Sequence, residues 1–255
     1  MCTLILGLGI LGPGSLLLGA NRDESPGRPS SGPEVLVDSP RVVGGRDLLS
    51  RGTWLAMREG RFVTALMNRR PAPGDTRDAA TLRSRGLLCL DVAAAPGETG
   101  GSFLDRALEL LRRHPYAHCT LVGVGVDGEA WALHAGAGAG GPEVRPIPRG
   151  WHAITHQDID DPTEPRTKWL MERLDDKMPR SVDEAVELLT GTLRVHGDDG
   201  GAPAVCLHRD IFPTVSSSIL ALGVAGGARY LHSPGPPCVT EYRDFTPILP
   251  QRASA

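Results

Sequence analysis

Two connections of two residues each set the strongest limit on how this chain can fold. Glu59-Gly60 links the strand-forming runs 53–58 and 61–68, and Asp127-Gly128 links 119–126 to 129–135. Strands joined so tightly pair antiparallel, because a parallel crossover needs a dozen residues or more. Further strands are predicted at 3–8, 16–20, 151–155, 204–208, 216–222 and 229–231, from apolar runs bounded by turn residues. Helices are predicted at 82–95, 102–114, 166–174 and 181–193. Ser102 is read as an N-cap, and Ser181 with Glu184 three positions on forms a capping-box pattern. Strands, helices, strands, helices and strands in that order make an α+β domain, not a doubly wound one.

The intervening stretches are loops in this reading. Residues 24–52 are rich in Pro and Gly and predict a long loop with minor strands such as Val35-Leu36-Val37. Residues 71–78 and 136–148 predict a loop and a flexible connection. One domain is expected over 1–247, with a disordered tail at 248–255.

Composition removes several functional classes. The chain has 255 residues, 40% of them apolar, which is enough for a substantial core. Its 32 Gly and 22 Pro favour turns over long helices. A net charge of −3, with Arg69-Arg70 as the densest basic cluster, excludes a nucleic-acid footprint. The cysteines at 2, 89, 119, 206 and 238 are odd in number and contain no CxxC pair. That suits free thiols in a reducing compartment better than a disulfide framework or a zinc site. Residues 1–21 carry no charge, but they lack a basic start and are broken by Gly7, Gly9, Gly12, Pro13 and Gly14. They read as two strands and a turn, with no stable membrane insertion, and a cytoplasmic location is expected.

Several motifs are weighed and set aside. Gly7 to Gly12 match GxGxxG, yet Pro13-Gly14 follows where a dinucleotide site needs a helix. There is no GxSxG elbow, and Ser216-Ser217-Ser218 lies in strand context. Asp158, Asp160, Asp161 and Glu164 lack the Gly and the spacing of a calcium loop, and acidic residues often precede a helix. His152 and His156 are four apart, but on a strand, so they do not form a metal pair. His134 and His232 read as ordinary strand residues. No cofactor or metal is expected.

Chemistry concentrates instead in Cys2 and in Asn21-Arg22-Asp23-Glu24. A small second residue allows removal of the initiator Met, which would place a thiol and a free α-amine on Cys2. An α-amine titrates near 7.7–8.0, so about a tenth of it is unprotonated at pH 7 and can act as the base for the thiol. Alternatively, Cys2 simply begins a buried strand. Strand alternation puts Asn21 and Asp23 on one face, Ala20 and Arg22 on the other. On a neighbouring strand Asp23 would reach the α-amine, and the charge of Arg22 would favour the thiolate. Asn68 offers an amide donor at a strand end, as an acyl-transfer oxyanion requires. The structural alternatives are an Arg22–Asp23 pair and a turn role for Asn68.

Asn21-Arg22-Asp23-Glu24 with Arg28-Pro29, then Gly52-Thr53-Trp54-Leu55, then Ser84-Arg85-Gly86, resembles the NRDE family, which includes the eukaryotic transport and Golgi organisation protein 2. The Met1-Cys2 start agrees, and the segments 151–174 and 204–222 can be laid alongside the family pattern. That family in turn resembles the N-terminal-nucleophile (Ntn) hydrolases, whose fold is a four-layer αββα sandwich of two antiparallel sheets. Their choloylglycine-hydrolase branch cleaves non-peptide amides with an N-terminal Cys. The resemblance implies Cys2 as nucleophile and base, Asp23 as the residue orienting its amine, and Asn68 as oxyanion donor. The branch usually has Arg-Asn-x-Asp, where this chain has Ala20-Asn21-Arg22-Asp23, and alternation keeps Arg22 on the side of position 20. His156 falls where relatives commonly carry the Asn that completes the oxyanion hole, and Val215 where an Arg is often found. A histidine can donate a hydrogen bond; a valine side chain cannot.

Two functions are expected from this. One is a cysteine amidohydrolase or acyltransferase acting on a small non-peptide amide through a Cys2 thioester. The other is a non-catalytic protein that binds haem or an acyl or lipid ligand, in keeping with the trafficking and haem-handling roles associated with eukaryotic relatives. The chain has no Cys-Pro haem motif.

Overall fold

The structure is a computed structural model, and it describes residues 2–70, 77–136, 141–197, 201–225 and 227–250. In chain order, β1 (Thr3–Leu8) and β2 (Leu16–Asp23) are followed by β3 (Ser30–Val37), β4 (Val42–Asp47), β5 (Leu55–Arg58) and β6 (Phe62–Asn68). Helices α1 (Arg85–Ala93) and α2 (Gly100–Arg113) come next, then β7 (Cys119–Gly125), β8 (Ala130–Ala135), β9 (Glu143–Pro146) and β10 (Gly150–Ile154). Helices α3 (Pro165–Leu174) and α4 (Val182–Leu193) precede β11 (Thr214–Leu222), β12 (Arg229–Ser233) and β13 (Arg243–Asp244). Every pair among these described strands is antiparallel. The class is α+β, as the two short hairpins require.

The chain gathers into two compact units, Met1–Arg28 with Arg149–Ala255, and Pro29–Pro148. In the first, the strand order is β10-β1-β2-β11-β12-β13. Helix α3 packs on β10, and α4 on β2 and β11. Between them lies a core of Ile5, Leu17, Ala153 and Ile219 from the sheet and Leu170, Leu174, Leu189 and Leu193 from the helices. Gly19 sits at a close approach, where a Cβ would lie 3.1 Å from Leu189 and 3.2 Å from Leu193 and would push those side chains aside by a few tenths of an ångström. The apolar run 16–20 is therefore a central strand, and it continues through Asn21, Arg22 and Asp23.

The second unit is a sheet in simple sequence order, β3 to β9, with α1 on β5 and β6 and α2 on β7 and β8. Both predicted hairpins form: Glu59 and Gly60 have φ of 49° and 65°, the left-handed pair that suits a right-twisted ribbon. The Gly-Thr-Trp-Leu and Ser-Arg-Gly motifs meet here. Thr53 N–H donates to Gly86 O at 3.0 Å, and a Cβ on Gly52 would lie 2.2 Å from the Gly86 carbonyl carbon. Two backbones cross where no side chain fits.

Several expectations need correction. Residues 30–37 and 42–47 form full strands where a long loop with minor strands such as Val35-Leu36-Val37 is expected; Pro33 is tolerated because β3 is an edge strand. Helix α2 begins at Gly100 with Thr99 as N-cap, so Ser102 is N3 and completes the capping box from inside the helix. Ser181 does cap α4, but Glu184 reaches back to Arg180 N–H, one residue before the cap. Residues 204–208 are irregular rather than a strand, β9 lies within the expected flexible connection, and β13 was not foreseen. Leu249, assigned to the tail, is buried behind the 3-10 turn Thr246–Ile248. The loop expected at 71–78 falls largely outside the described residues. No described helix is long and apolar enough to cross a membrane.

Candidate functional site

The first unit places Cys2 immediately before β1, beside the end of β2. Thr3 stands opposite Asn21 in the ladder, and the Cys2 thiol points at the Asp23 carbonyl oxygen, 4.0 Å away. Burial pushes the thiol above its ordinary value, the Asp23 charge adds to this, and Arg22 opposes it. The sulfur is thus a neutral thiol at rest and needs a base to become a nucleophile.

Asp23 is held from two sides. Thr214, its cross-strand neighbour on β11, donates its hydroxyl to Oδ1 at 2.7 Å. The Arg166 guanidinium at the start of α3 lies 3.8 Å from Oδ2, and its Nη1 donates to Thr3 Oγ1 at 2.8 Å. Burial raises the Asp23 carboxyl to about 7, against the Thr214 hydrogen bond and the Arg166 charge, which both lower it. A carboxyl so placed favours any cation that comes within reach, since a positive neighbour offsets its desolvation.

The alternation expected for the tetrapeptide holds geometrically, with a division of labour. Asn21 turns toward the helices, donating its amide to Leu193 O at 2.9 Å and Val205 O at 3.0 Å. It ties β2 to the end of α4 and to the segment before β11. Arg22 is buried, with its guanidinium 3.9 Å from Glu24, which also lies 3.8 Å from Arg28. The NRDE and Arg-Pro motifs therefore share a charge cluster at the end of the strand, beside the turn closed by Arg28 N–H on Ser25 O.

The remaining candidates are placed as follows. His156 is buried just past β10. Val215 sits at an irregularity in the β2–β11 register, between Thr214 and Ser216. Asn68 ends β6 in the other unit, opposite Cys119. His152 is engaged by Asp160 at 2.6 Å, and Asp160 also accepts from Ala153 N–H. Glu164 caps α3 through Thr167 N–H at 2.6 Å. The acidic run 158–164 thus serves local structure. The GxGxxG stretch is the β1–β2 hairpin, with Gly9, Gly12 and Gly14 at positive φ. Ser218 contacts His232 at 3.0 Å, and burial with the nearby Arg243 charge lowers that imidazole to about 4.

Arg166 and Thr214 were missed by sequence reasoning. One lies in a helical pattern and the other beside a Ser run, and nothing local marks either as a partner of Asp23.

Comparison with known proteins follows from this geometry. The model of the family described as "Transport and Golgi organisation 2" matches residues 1–199. No curated protein matches the chain. Among solved structures, the chain is similar to a Caenorhabditis elegans N-acylethanolamine-hydrolyzing acid amidase ortholog, with a TM-score of 0.64 at 14% identity over 89% of this chain and 95% of that one. It is also similar to penicillin V acylase from Agrobacterium tumefaciens, with a TM-score of 0.57 at 12% identity over 100% of this chain and 90% of that one. The shared feature is the Ntn-hydrolase-like fold, two antiparallel sheets with few helices.

Proposed function

We propose that this chain, which belongs to the Transport and Golgi organisation 2 family, is a cysteine amidohydrolase or acyltransferase that cleaves a small non-peptide amide through a thioester on Cys2. The observation that carries the reading is the thiol of Cys2 directed at the backbone carbonyl of Asp23, a residue whose own buried carboxyl is braced by Thr214 and Arg166. Both similar structures bear the names of amide-cleaving enzymes, an acid amidase and an acylase, on an amidohydrolase-like fold.

The chemistry follows from a neutral thiol that needs a base. Removal of Met1 frees the α-amine of Cys2. Asp23 favours its positive form and so supports the amine as it takes the thiol proton. Sulfur attacks the substrate carbonyl carbon, and the tetrahedral oxyanion is met by hydrogen-bond donors. His156, an imidazole in the same unit as Cys2, is the candidate for such a donor. The ammonium then returns its proton to the departing nitrogen, the C–N bond breaks, and the acyl group remains on sulfur. Water, activated by the same amine, hydrolyses the thioester; a competing amine acceptor would make the reaction an acyl transfer.

Intact mass and turnover together test this. The expected result is a chain lacking Met1 that turns over members of an acylamide panel, with turnover abolished in Cys2→Ala. A retained Met1 in the active protein, or undiminished turnover by Cys2→Ala, overturns it.

A further inference from the structure

Away from Cys2, the first unit brings together three residues that no local spacing connects. Cys206 and His208 lie on the irregular segment between α4 and β11, and Cys238 lies in the loop between β12 and β13. The two sulfurs are 3.6 Å apart, His208 Nε2 is 3.0 Å from Cys238 Sγ, and it is 3.9 Å from Cys206 Sγ. We propose that Cys206, His208 and Cys238 form a binding site for a soft or borderline divalent cation, with Zn²⁺ the best match.

Geometry supports the choice of metal. Zinc bonds of about 2.3 Å to sulfur and 2.0–2.1 Å to nitrogen in a tetrahedron imply edges of roughly 3.8 Å between sulfurs and 3.6 Å between sulfur and nitrogen. The observed triangle matches these edges within a few tenths of an ångström, apart from the shorter His208–Cys238 contact. Two thiolates and an imidazole are also the donors that select zinc over magnesium or calcium, which take oxygen ligands. The fourth corner is left to water; His196, whose ring centroid is 5.4 Å from that of His208, is a further imidazole nearby.

The frame around the triangle is already set by the chain. Cys206 N–H donates to Val195 O at 2.7 Å, fixing this segment to the end of α4. Arg194 Nε donates to Pro237 O at 2.8 Å, and Thr240 N–H to Pro236 O at 2.9 Å, which shapes the turn that carries Cys238. Cys206 is buried and His208 exposed, so an ion entering from solvent would meet the imidazole first. Binding releases the two thiol protons, and the ion then bridges the two segments.

The site adjoins the wall that holds Asn21 and Asp23. Val205 O accepts from Asn21, and Leu207 N–H donates to Thr214 Oγ1 at 2.8 Å, the hydroxyl that donates to Asp23. A metal on residues 206 and 208 would therefore stiffen the two carbonyl and amide groups that flank it. The proposal itself does not depend on catalysis at Cys2.

The test is metal uptake by the reduced full-length chain. Co²⁺ serves as spectroscopic probe, Zn²⁺ as competitor, and Cys238→Ser, His208→Ala and Cys2→Ala as variants. The expected result is one equivalent of Co²⁺ bound with a thiolate-to-metal charge-transfer band, displaced by Zn²⁺ and retained in Cys2→Ala. Loss of a ligand should weaken binding by more than the roughly 10–100-fold that loss of an outer partner costs. Zinc should raise the thermal midpoint of the wild type and not of Cys238→Ser. His208→Ala, at an exposed position, guards against a variant that fails to fold. No uptake by the reduced chain, uptake unchanged in Cys238→Ser or His208→Ala, or a Cys206–Cys238 disulfide as the sole response of the pair would overturn the site.

Discussion

Thr214 and Asp23 face each other across the β2–β11 ladder, and one hydroxyl serves two partners there. Thr214 Oγ1 donates to Asp23 Oδ1 at 2.7 Å while accepting from Leu207 N–H at 2.8 Å. The hydroxyl orients a buried carboxyl and at the same time satisfies a buried backbone donor. Replacing Thr214 by Val keeps the shape and removes both bonds. An orphaned buried polar group costs about 1–3 kcal/mol, so Thr214→Val should lower unfolding free energy by roughly 2–6 kcal/mol. Denaturant titration measures this; a change below about 1 kcal/mol would refute the shared role.

Asp23 makes stability depend on pH in a definite direction. Its folded value is raised by burial to about 7, whereas an unfolded aspartate titrates near 3.9. Below the lower value both states hold the proton. Between the two, the unfolded chain loses it first, so stability falls as pH rises and the fall ends above about 7. Asp23→Asn, which is uncharged throughout, should remove this component from the stability profile. Removal of Met1 transfers the single α-amine to Cys2 itself, and bringing that positive charge nearer to Asp23 should move the upper end of the window down. A wild-type profile that parallels Asp23→Asn across pH 4–7 would contradict the assignment.

Asn21 acts through backbone, and its variant should separate from that of Asp23. Its amide donates to Leu193 O and Val205 O, two buried carbonyls at the ends of separate segments. Asn21→Ala is expected to cost about 1–3 kcal/mol by unfolding, without the pH signature of Asp23. Hydrogen exchange should show the loosening at residues 193–197 and 204–207. Equal protection there in variant and wild type would sink this reading.

Gly52 should tolerate no side chain. A Cβ would fall 2.2 Å from the Gly86 carbonyl carbon, in backbone that also carries the Thr53–Gly86 hydrogen bond. Gly52→Ala must separate the two segments and should cost at least the roughly 1–3 kcal/mol of an overpacked core. A variant as stable as the wild type would show that the crossing has slack.

Elements set by neighbouring residues are legible in the sequence. The Glu59-Gly60 and Asp127-Gly128 hairpins depend on a few adjacent residues, and both strands of each were visible as apolar runs. Helix α4 announced itself through Ser181. Strands β3 and β4 did not, because Pro33, Gly44 and Gly45 break the usual pattern. Gly44 is required there since a Cβ would meet Leu55 O at 2.2 Å, a constraint set by a strand eleven residues away. Residues 204–208 carry a strand pattern, but Val205 O and Leu207 N–H are satisfied by Asn21 and Thr214 rather than by a ladder.

By itself the sequence determined antiparallel α+β architecture, family, and the pairing of Cys2 with the Asn21–Glu24 motif. These rest on local turn chemistry, hydrophobic runs and short motifs, all of which act within a few residues. Only the tertiary structure decided what surrounds the motif. Thr214 reaches Asp23 across 191 positions, Arg166 reaches Thr3 across 163, and Cys238 reaches Cys206 across 32. Such partners leave no periodicity or spacing to read, because sheet order and helix packing bring them together. The sheet turned an acidic residue in a tetrapeptide into a buried, braced carboxyl beside a thiol.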